Sequence, residues 1–75
     1  MRIEELVAEA FGLTVAEVDD ATSADSVEAW DSLAHVNLVM HIEETYAVSL
    51  STDETLEIRS VGEIRRVLGQ HGVHV

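Results

Sequence analysis

The sequence predicts an all-α fold, a small four-helix bundle with three longer helices and one short helix. Three segments place apolar residues at the three- and four-residue spacing of an amphipathic helix, and no segment alternates as a half-buried strand does. The chain has 75 residues, of which 47% are hydrophobic, so it is too apolar for a disordered acidic tail. We therefore expect residues 1–75 to fold as a single domain.

The first helix is predicted over residues 2–11 and is ended by Gly12. Residues 13–31 lose the helical periodicity and are rich in Asp, Ser and Thr, but apolar side chains recur among them. This pattern indicates a long loop held against the core. Loops of this length in a compact domain tend to be functional.

The second helix is predicted from Ser32 to about Tyr46, with Asp31 as its N-cap. Projected at about 100° per residue, its apolar residues fall on two nearly opposite sides. One side can line the core; the other either packs under the long loop or forms an exposed strip for a partner or a cargo chain. The first group is Leu38, Val39, Ile42 and Tyr46; the second is Leu33, Val36 and Met40.

The segment after the second helix is predicted to be extended over residues 47–52. Residues 53–57 are then predicted to form a short helical turn, capped by Thr52 or Asp53, both of which have side-chain oxygens that suit an N-cap.

The last helix is predicted over residues 61–70. Ser60 and Glu63 have the spacing of a capping box, and apolar residues on one face follow them. His71 and His74 lie beyond this helix, in a tail that we expect to be frayed.

The composition excludes several classes of protein. Fifteen acidic residues against four arginines and no lysine give a net charge of -11, which opposes binding to nucleic acid or to an anionic membrane. Partners are expected to present basic patches to the first three quarters of the chain, since residues 1–58 hold fourteen of the acids and one arginine. The N-terminus lacks the pattern of a secretory signal, so a soluble cytoplasmic protein is expected. The chain contains no cysteine and therefore has no thiol of its own. If it carried a group as a thioester, the sulfur would have to come from a cofactor.

The tetrapeptide Trp30-Asp31-Ser32-Leu33 lies where the long loop enters the second helix, and here the sequence resembles the acyl carrier protein family. The likeness covers almost the whole chain. It implies an acyl-carrier-protein-like bundle in which Ser32 carries 4'-phosphopantetheine, with Asp31 and Leu33 beside it as cofactor-binding residues. It also implies that a phosphopantetheinyl transferase attaches this group from coenzyme A. A serine in the first turn of a helix suits a phosphodiester, since the positive end of the helix dipole lies there. The resemblance implies a carrier of acyl or aminoacyl thioesters with no catalytic activity of its own.

The same resemblance implies a partner-binding surface on the second helix. Its partners would be an acyl- or aminoacyl-loading enzyme and a downstream acyltransferase or synthase, each meeting a monomeric carrier. Ala34 and Asn37 stand where housekeeping fatty-acid carriers commonly place acids, and Trp30 replaces a small residue. This likeness favours a specialised pathway of polyketide, nonribosomal or glyceryl type over housekeeping fatty-acid synthesis. The implied partner-binding residues are Leu33, Val36, Asn37, Met40, Glu43 and Glu44.

Two other functions stay open from the sequence. A small acidic adaptor could bind a partner helix through Leu33, Val36 and Met40 and leave Ser32 unmodified. A serine esterase would use Ser32 with His35, although a partly buried, hydrogen-bonded histidine is the better interpretation of that position.

The possible metal ligands and the tryptophan give weaker signals. His41 and Glu44 are helical neighbours but offer only two ligands, and the acids of the long loop lack the order of a calcium-binding loop. No metal site is predicted. Trp30 is interpreted as an anchor that holds the loop to the core.

Overall fold

The structure, a computed structural model that describes all of residues 1–75, contains four α-helices. α1 packs against both α2 and α4, and α3 packs against α4. The prediction of an all-α bundle with three longer helices and one short helix is confirmed. The helices are α1 Ile3–Phe11, α2 Ser32–Tyr46, α3 Thr52–Glu57 and α4 Val61–Gln70.

The core is one cluster of fourteen buried apolar residues. Burial of these faces stabilises helices that are too short to persist alone in water. No helix is both long enough and apolar enough to cross a lipid bilayer. The core residues are Ile3, Leu6, Val7, Ala8, Val18, Trp30, Leu38, Val39, Ile42, Ile58, Val61, Ile64, Val67 and Leu68.

The end of α1 is where the sequence places it. Gly12 has φ 68°, in the left-handed region that glycine enters without steric cost, and its N–H donates to the Ala8 carbonyl. At the other end, α1 begins at Ile3 rather than at residue 2, because Arg2 is the extended N-cap residue.

The long loop of residues 13–31 is held against the core, as predicted, because Val18 and Trp30 are part of it. The loop is also bonded to the start of α4, which the sequence did not predict. The Ala24 N–H donates to the Arg59 carbonyl at 2.9 Å, the Val61 N–H donates to the Thr22 carbonyl at 2.9 Å, and an isolated antiparallel bridge pairs Ser23 with Ser60. The sequence did not predict a short 3-10 helix at Val15–Glu17 within this loop.

The exit from α2 corrects the prediction of an extended segment over residues 47–52 at its two ends, whereas residues 48–51 are neither helix nor turn. Ala47 is left-handed, with φ 55°, and the Val48 N–H donates back to the Glu43 carbonyl at 3.2 Å. The Leu50 N–H donates to the Glu43 carboxylate at 2.9 Å. The chain therefore turns tightly, and Thr52 already belongs to α3.

The cap of α3 is Ser51, so the prediction of Thr52 or Asp53 is wrong by one or two residues. The Glu54 N–H donates to Ser51 Oγ at 3.1 Å, and the Ser51 N–H donates to the Glu54 carboxylate at 2.9 Å. The two bonds form a reciprocal capping box. The hydrogen bond from the Ser51 N–H, helped by one from His71, lowers the pKa of Glu54.

Replacement of Ser51 by alanine is expected to lower the free energy of unfolding by about 1 kcal/mol, because an N-cap bond is lost. Thr52→Ala is the matched control, since the Thr52 side chain is exposed and does not cap the helix; its effect should stay within about 0.5 kcal/mol. Urea denaturation of both variants measures the difference. A larger loss in Thr52→Ala would contradict this assignment of the cap.

The Ser60 cap of α4 is confirmed, whereas the predicted capping box forms only in part. Ser60 Oγ accepts from the Glu63 N–H at 3.2 Å, but the Glu63 carboxylate meets the Ser60 hydroxyl at 3.3 Å instead of its backbone N–H. The prediction of a frayed tail is wrong for His71, whose Nε2 lies 2.8 Å from the Glu54 carboxylate. Val73 also packs against the core, which holds the tail in place.

Candidate functional site

Ser32 is the first residue of α2, and its side chain is exposed. Asp31 is the N-cap, as predicted: its Oδ1 accepts from the Ala34 N–H at 2.9 Å, and its carbonyl accepts from the His35 N–H at 2.8 Å. The Ser32 hydroxyl has no hydrogen-bond partner within the protein, and neither has the backbone N–H of Ser32 or of Leu33. The site therefore presents a free hydroxyl beside two free backbone donors.

An open cavity of about 240 Å³ lies beside Ser32. Four parts of the chain meet there: the long loop, the start of α2, the helix α3 and the residue before the α4 cap. Leu33 is next to Ser32 in sequence but lies outside the cavity. The lining residues are Ala24, Trp30, Asp31, Ser32, His35, Leu56 and Arg59.

Trp30 and His35 form the inner wall of this cavity. Trp30 is 4% exposed and stacks on Phe11 with ring centroids 5.0 Å apart, which confirms its predicted role as a core anchor. The Trp30 Nε1–H donates to His35 Nδ1 at 2.9 Å, and His35 Nε2 lies 2.8 Å from the Thr55 carbonyl. Because Nδ1 accepts a hydrogen bond, the proton of the neutral imidazole lies on Nε2, which donates to Thr55. His35 thus ties the loop to both α2 and α3.

The hydrogen bonds of His35 argue against the esterase hypothesis. A general base must reach the hydroxyl proton of its nucleophile through a ring nitrogen that is free to accept it. One ring nitrogen already accepts from Trp30 and the other donates to Thr55. The predicted partly buried, hydrogen-bonded histidine is confirmed, and His35 is not available as a base for Ser32.

Replacement of His35 by phenylalanine is expected to lower the free energy of unfolding by about 1–3 kcal/mol, because the buried Trp30 N–H loses its acceptor. His41→Phe is the matched control: His41 lies on the same helix, is half-buried and makes no side-chain hydrogen bond. Urea denaturation followed by circular dichroism compares the two. Equal losses of unfolding free energy in both variants would mean that the hydrogen bonds of His35 to Trp30 and Thr55 contribute nothing to stability.

The second apolar group of α2 is exposed, so the interpretation as a strip is confirmed and the packing alternative is wrong. We call Leu33, Val36 and Met40 the apolar strip; their exposures are 72%, 53% and 55%. The opposite group faces inward, with Leu38, Val39 and Ile42 in the core and Tyr46 packed against it. Single exposed apolar residues are common, but a row on one helix face is typical of a contact surface.

The polar residues of α2 that the resemblance implies as partner-binding divide into two kinds. Asn37 and Glu44 are exposed and free to meet a partner. Glu43 is half-buried, and its carboxylate accepts from the Leu50 N–H, so it holds the turn after α2.

The acidic side chains do not gather into a metal site. Asp19 Oδ1 accepts from the N–H groups of Ala21 and Thr22 at 2.9 and 3.1 Å, so this carboxylate stabilises the loop itself. No group of three or more His, Asp or Glu side chains is placed to hold a metal ion.

A family model described as "Phosphopantetheine attachment site" matches residues 2–68. The chain belongs to this family. It is a phosphopantetheine-binding carrier domain, and the resemblance to acyl carrier proteins is confirmed. Its prosthetic group is 4'-phosphopantetheine. Carrier domains of this family generally interact with phosphopantetheinyl transferases and acyl-handling enzymes, and they are generally not catalysts themselves.

The surroundings of Ser32 fit this prosthetic group. The hydroxyl is free to form an ester, and the unpaired N–H groups of Ser32 and Leu33 can donate to a phosphate at the positive end of α2. The cavity gives room for a chain that leaves the phosphate. When bound, the group supplies the thiol that this cysteine-free carrier domain lacks. Asp31 holds the first turn of α2 in place, and Trp30 with His35 fixes the cavity wall.

Sequence reasoning missed two residues of the carrier domain's cavity, Leu56 and Arg59. Leu56 is 65% exposed although it is apolar, so α3 places an exposed apolar side chain in the cavity lining. Their proximity to Ser32 depends on how α3 folds back on the loop, which no local pattern reveals. The one available signal was that Arg59 is the only arginine between Arg2 and Arg65, and the chain has no lysine.

Proposed function

We propose that Ser32 is the attachment residue for 4'-phosphopantetheine. The observation that carries this proposal is the exposed Ser32 hydroxyl, free of partners, at the start of α2 and beside an open cavity. We further propose that the chain acts as a single, monomeric carrier domain without catalysis of its own. It holds an acyl or aminoacyl group as a thioester and presents it to successive enzymes.

The attachment reaction needs no activation by the carrier itself. Ser32 Oγ forms a bond to the phosphorus that bears the pantetheine unit of coenzyme A. The pyrophosphate bond breaks, adenosine 3',5'-bisphosphate leaves, and the hydroxyl proton passes to a base of the transferase. His35 cannot take that proton while it is held between Trp30 and Thr55. The base is therefore assigned to the partner enzyme, since His35 is occupied and Asp31 Oδ1 already caps α2.

The pathway is proposed to be a specialised one, of polyketide, nonribosomal or glyceryl type. Two neutral residues on α2, Ala34 and Asn37, support this proposal. Exposed Asn37 leaves the surface beside Val36 without a negative charge, so enzymes that recognise acids at this place would bind more weakly. The partners that fit are a loading enzyme and an acyltransferase or synthase that combine an apolar patch with a basic rim.

The proposal is tested by incubating the protein with coenzyme A, magnesium and a broad-specificity phosphopantetheinyl transferase. Intact mass should rise by one phosphopantetheinyl group, and fragmentation of the intact ion should locate it on Ser32. A gain on another serine would overturn the attachment site. No gain by a protein shown to be folded would favour the adaptor hypothesis, since the apolar strip alone could serve an adaptor.

A further inference from the structure

Arg59 differs from every other arginine of the chain. It lines the same cavity as Ser32, its side chain is exposed, and it makes no ion pair although the chain carries a net charge of -11. In so acidic a protein, an arginine without a carboxylate partner is available for another anion. The other arginines are all paired, Arg2 with Glu4, Arg65 with Glu4 and Asp20, and Arg66 with Glu57.

The backbone of Arg59 is fixed at the wall of the cavity. The preceding residue, Ile58, is fully buried, and the following residue, Ser60, caps α4. The Arg59 N–H donates to the Glu57 carbonyl at 2.9 Å, and the Arg59 carbonyl accepts from Ala24 at 2.9 Å. The side chain therefore starts from a defined place, and only its own torsions remain to be ordered when it binds.

A phosphodiester attached to Ser32 would add a negative charge to a cavity that already contains a carboxylate, and a cation there would offset the repulsion. Asp31 and Ser32 line the cavity together, so a phosphodiester on Ser32 would lie near the Asp31 carboxylate. Arg59 is the only cationic residue in the lining. Its guanidinium is always charged and presents a fork of donors that matches two phosphate oxygens.

We infer that Arg59 binds the phosphodiester of the group attached to Ser32 and holds the start of the arm in the cavity between the long loop and α3. This inference rests on the proposed attachment at Ser32. The arm is thereby directed away from the apolar strip, since Leu33 lies outside the cavity lining. A partner can then contact the strip while the arm leaves from the α3 side.

The experiment compares the wild type with Arg59→Gln and with the matched control Arg66→Gln, each before and after complete conversion by excess transferase. Arg66 is also exposed and lies outside the cavity. The gain in melting temperature on conversion should be about 2–5 °C larger in the wild type than in Arg59→Gln. Arg66→Gln should behave as the wild type, and about 1 M salt should remove the difference.

A second measurement uses the wild type alone and therefore does not depend on whether a variant folds. In ¹H–¹⁵N spectra of the wild type, the Arg59 Nε–H signal should shift on conversion, whereas the Arg66 Nε–H signal should stay. Equal stabilisation of wild type and Arg59→Gln together with an unmoved Arg59 signal would overturn the inference. Mass spectrometry separates this failure from a failure of the proposed function: absence of conversion in all three proteins refutes attachment at Ser32 and the inference with it.

Discussion

Replacement of Ser32 by alanine is expected to abolish phosphopantetheinylation completely while leaving the fold intact. The loss is complete because Ser32 Oγ forms the new bond to phosphorus in the proposed reaction, and alanine has no hydroxyl to form it. The fold should survive because the hydroxyl is exposed and has no hydrogen-bond partner. The free energy of unfolding should change by about 0.5 kcal/mol or less, as for other exposed positions without a special role. Intact mass and urea denaturation measure the two effects.

Ser49→Ala is the matched control for this variant. Ser49 is exposed, makes no side-chain hydrogen bond and lies in the turn between α2 and α3. It should accept one phosphopantetheinyl group at the rate of the wild type. If Ser32→Ala still gains the group, attachment lies elsewhere and the proposed site is wrong.

The helices were predictable because their signals are local. The apolar face of α1 and its end at Gly12 can be read from the spacing and from one glycine, and the caps Asp31 and Ser60 lie within three residues of the N–H groups that they accept from. The cap of α3 was missed because Ser51, Thr52 and Asp53 are all good caps by residue type. The pairing of Ser51 with Glu54 distinguishes them, and its three-residue spacing, the same as that of Ser60 and Glu63, was a local signal that the prediction did not use.

The position of Ser32 at the start of α2 and the exposure of the apolar strip were predictable for the same reason, since both belong to one helix and its first turn. The cavity was not. It is made by contacts between residues far apart in sequence, such as the bond from Ala24 to Arg59 and the bond from His35 to Thr55. The sequence predicted that His35 would be partly buried and hydrogen-bonded, but its partners follow from tertiary packing. Arg59 attracted no notice in the sequence because its lack of a carboxylate partner is visible only in three dimensions.

The apolar strip should determine how well partner enzymes recognise the carrier. The double variant Val36→Asn and Met40→Gln is expected to lower kcat/KM for conversion by a phosphopantetheinyl transferase about 10- to 100-fold. This range corresponds to about 0.7–1.4 kcal/mol from each of the two apolar side chains, since about 1.4 kcal/mol is a factor of ten. Stability should change little, because Val36 and Met40 are more than half exposed.

Val15→Gln is the control for this prediction, since Val15 is 45% exposed but lies in the 3-10 helix of the long loop. It removes a similar apolar side chain outside the strip, so its conversion rate should equal that of the wild type. A rise in KM with little change in kcat would mean that the strip contributes binding that is equal in the ground state and the transition state. Ser32 would then remain correctly presented by its cap and its cavity. If instead the double variant is converted as fast as Val15→Gln, the transferase does not use the strip, and recognition must rest on other exposed residues such as Glu44 and Leu56.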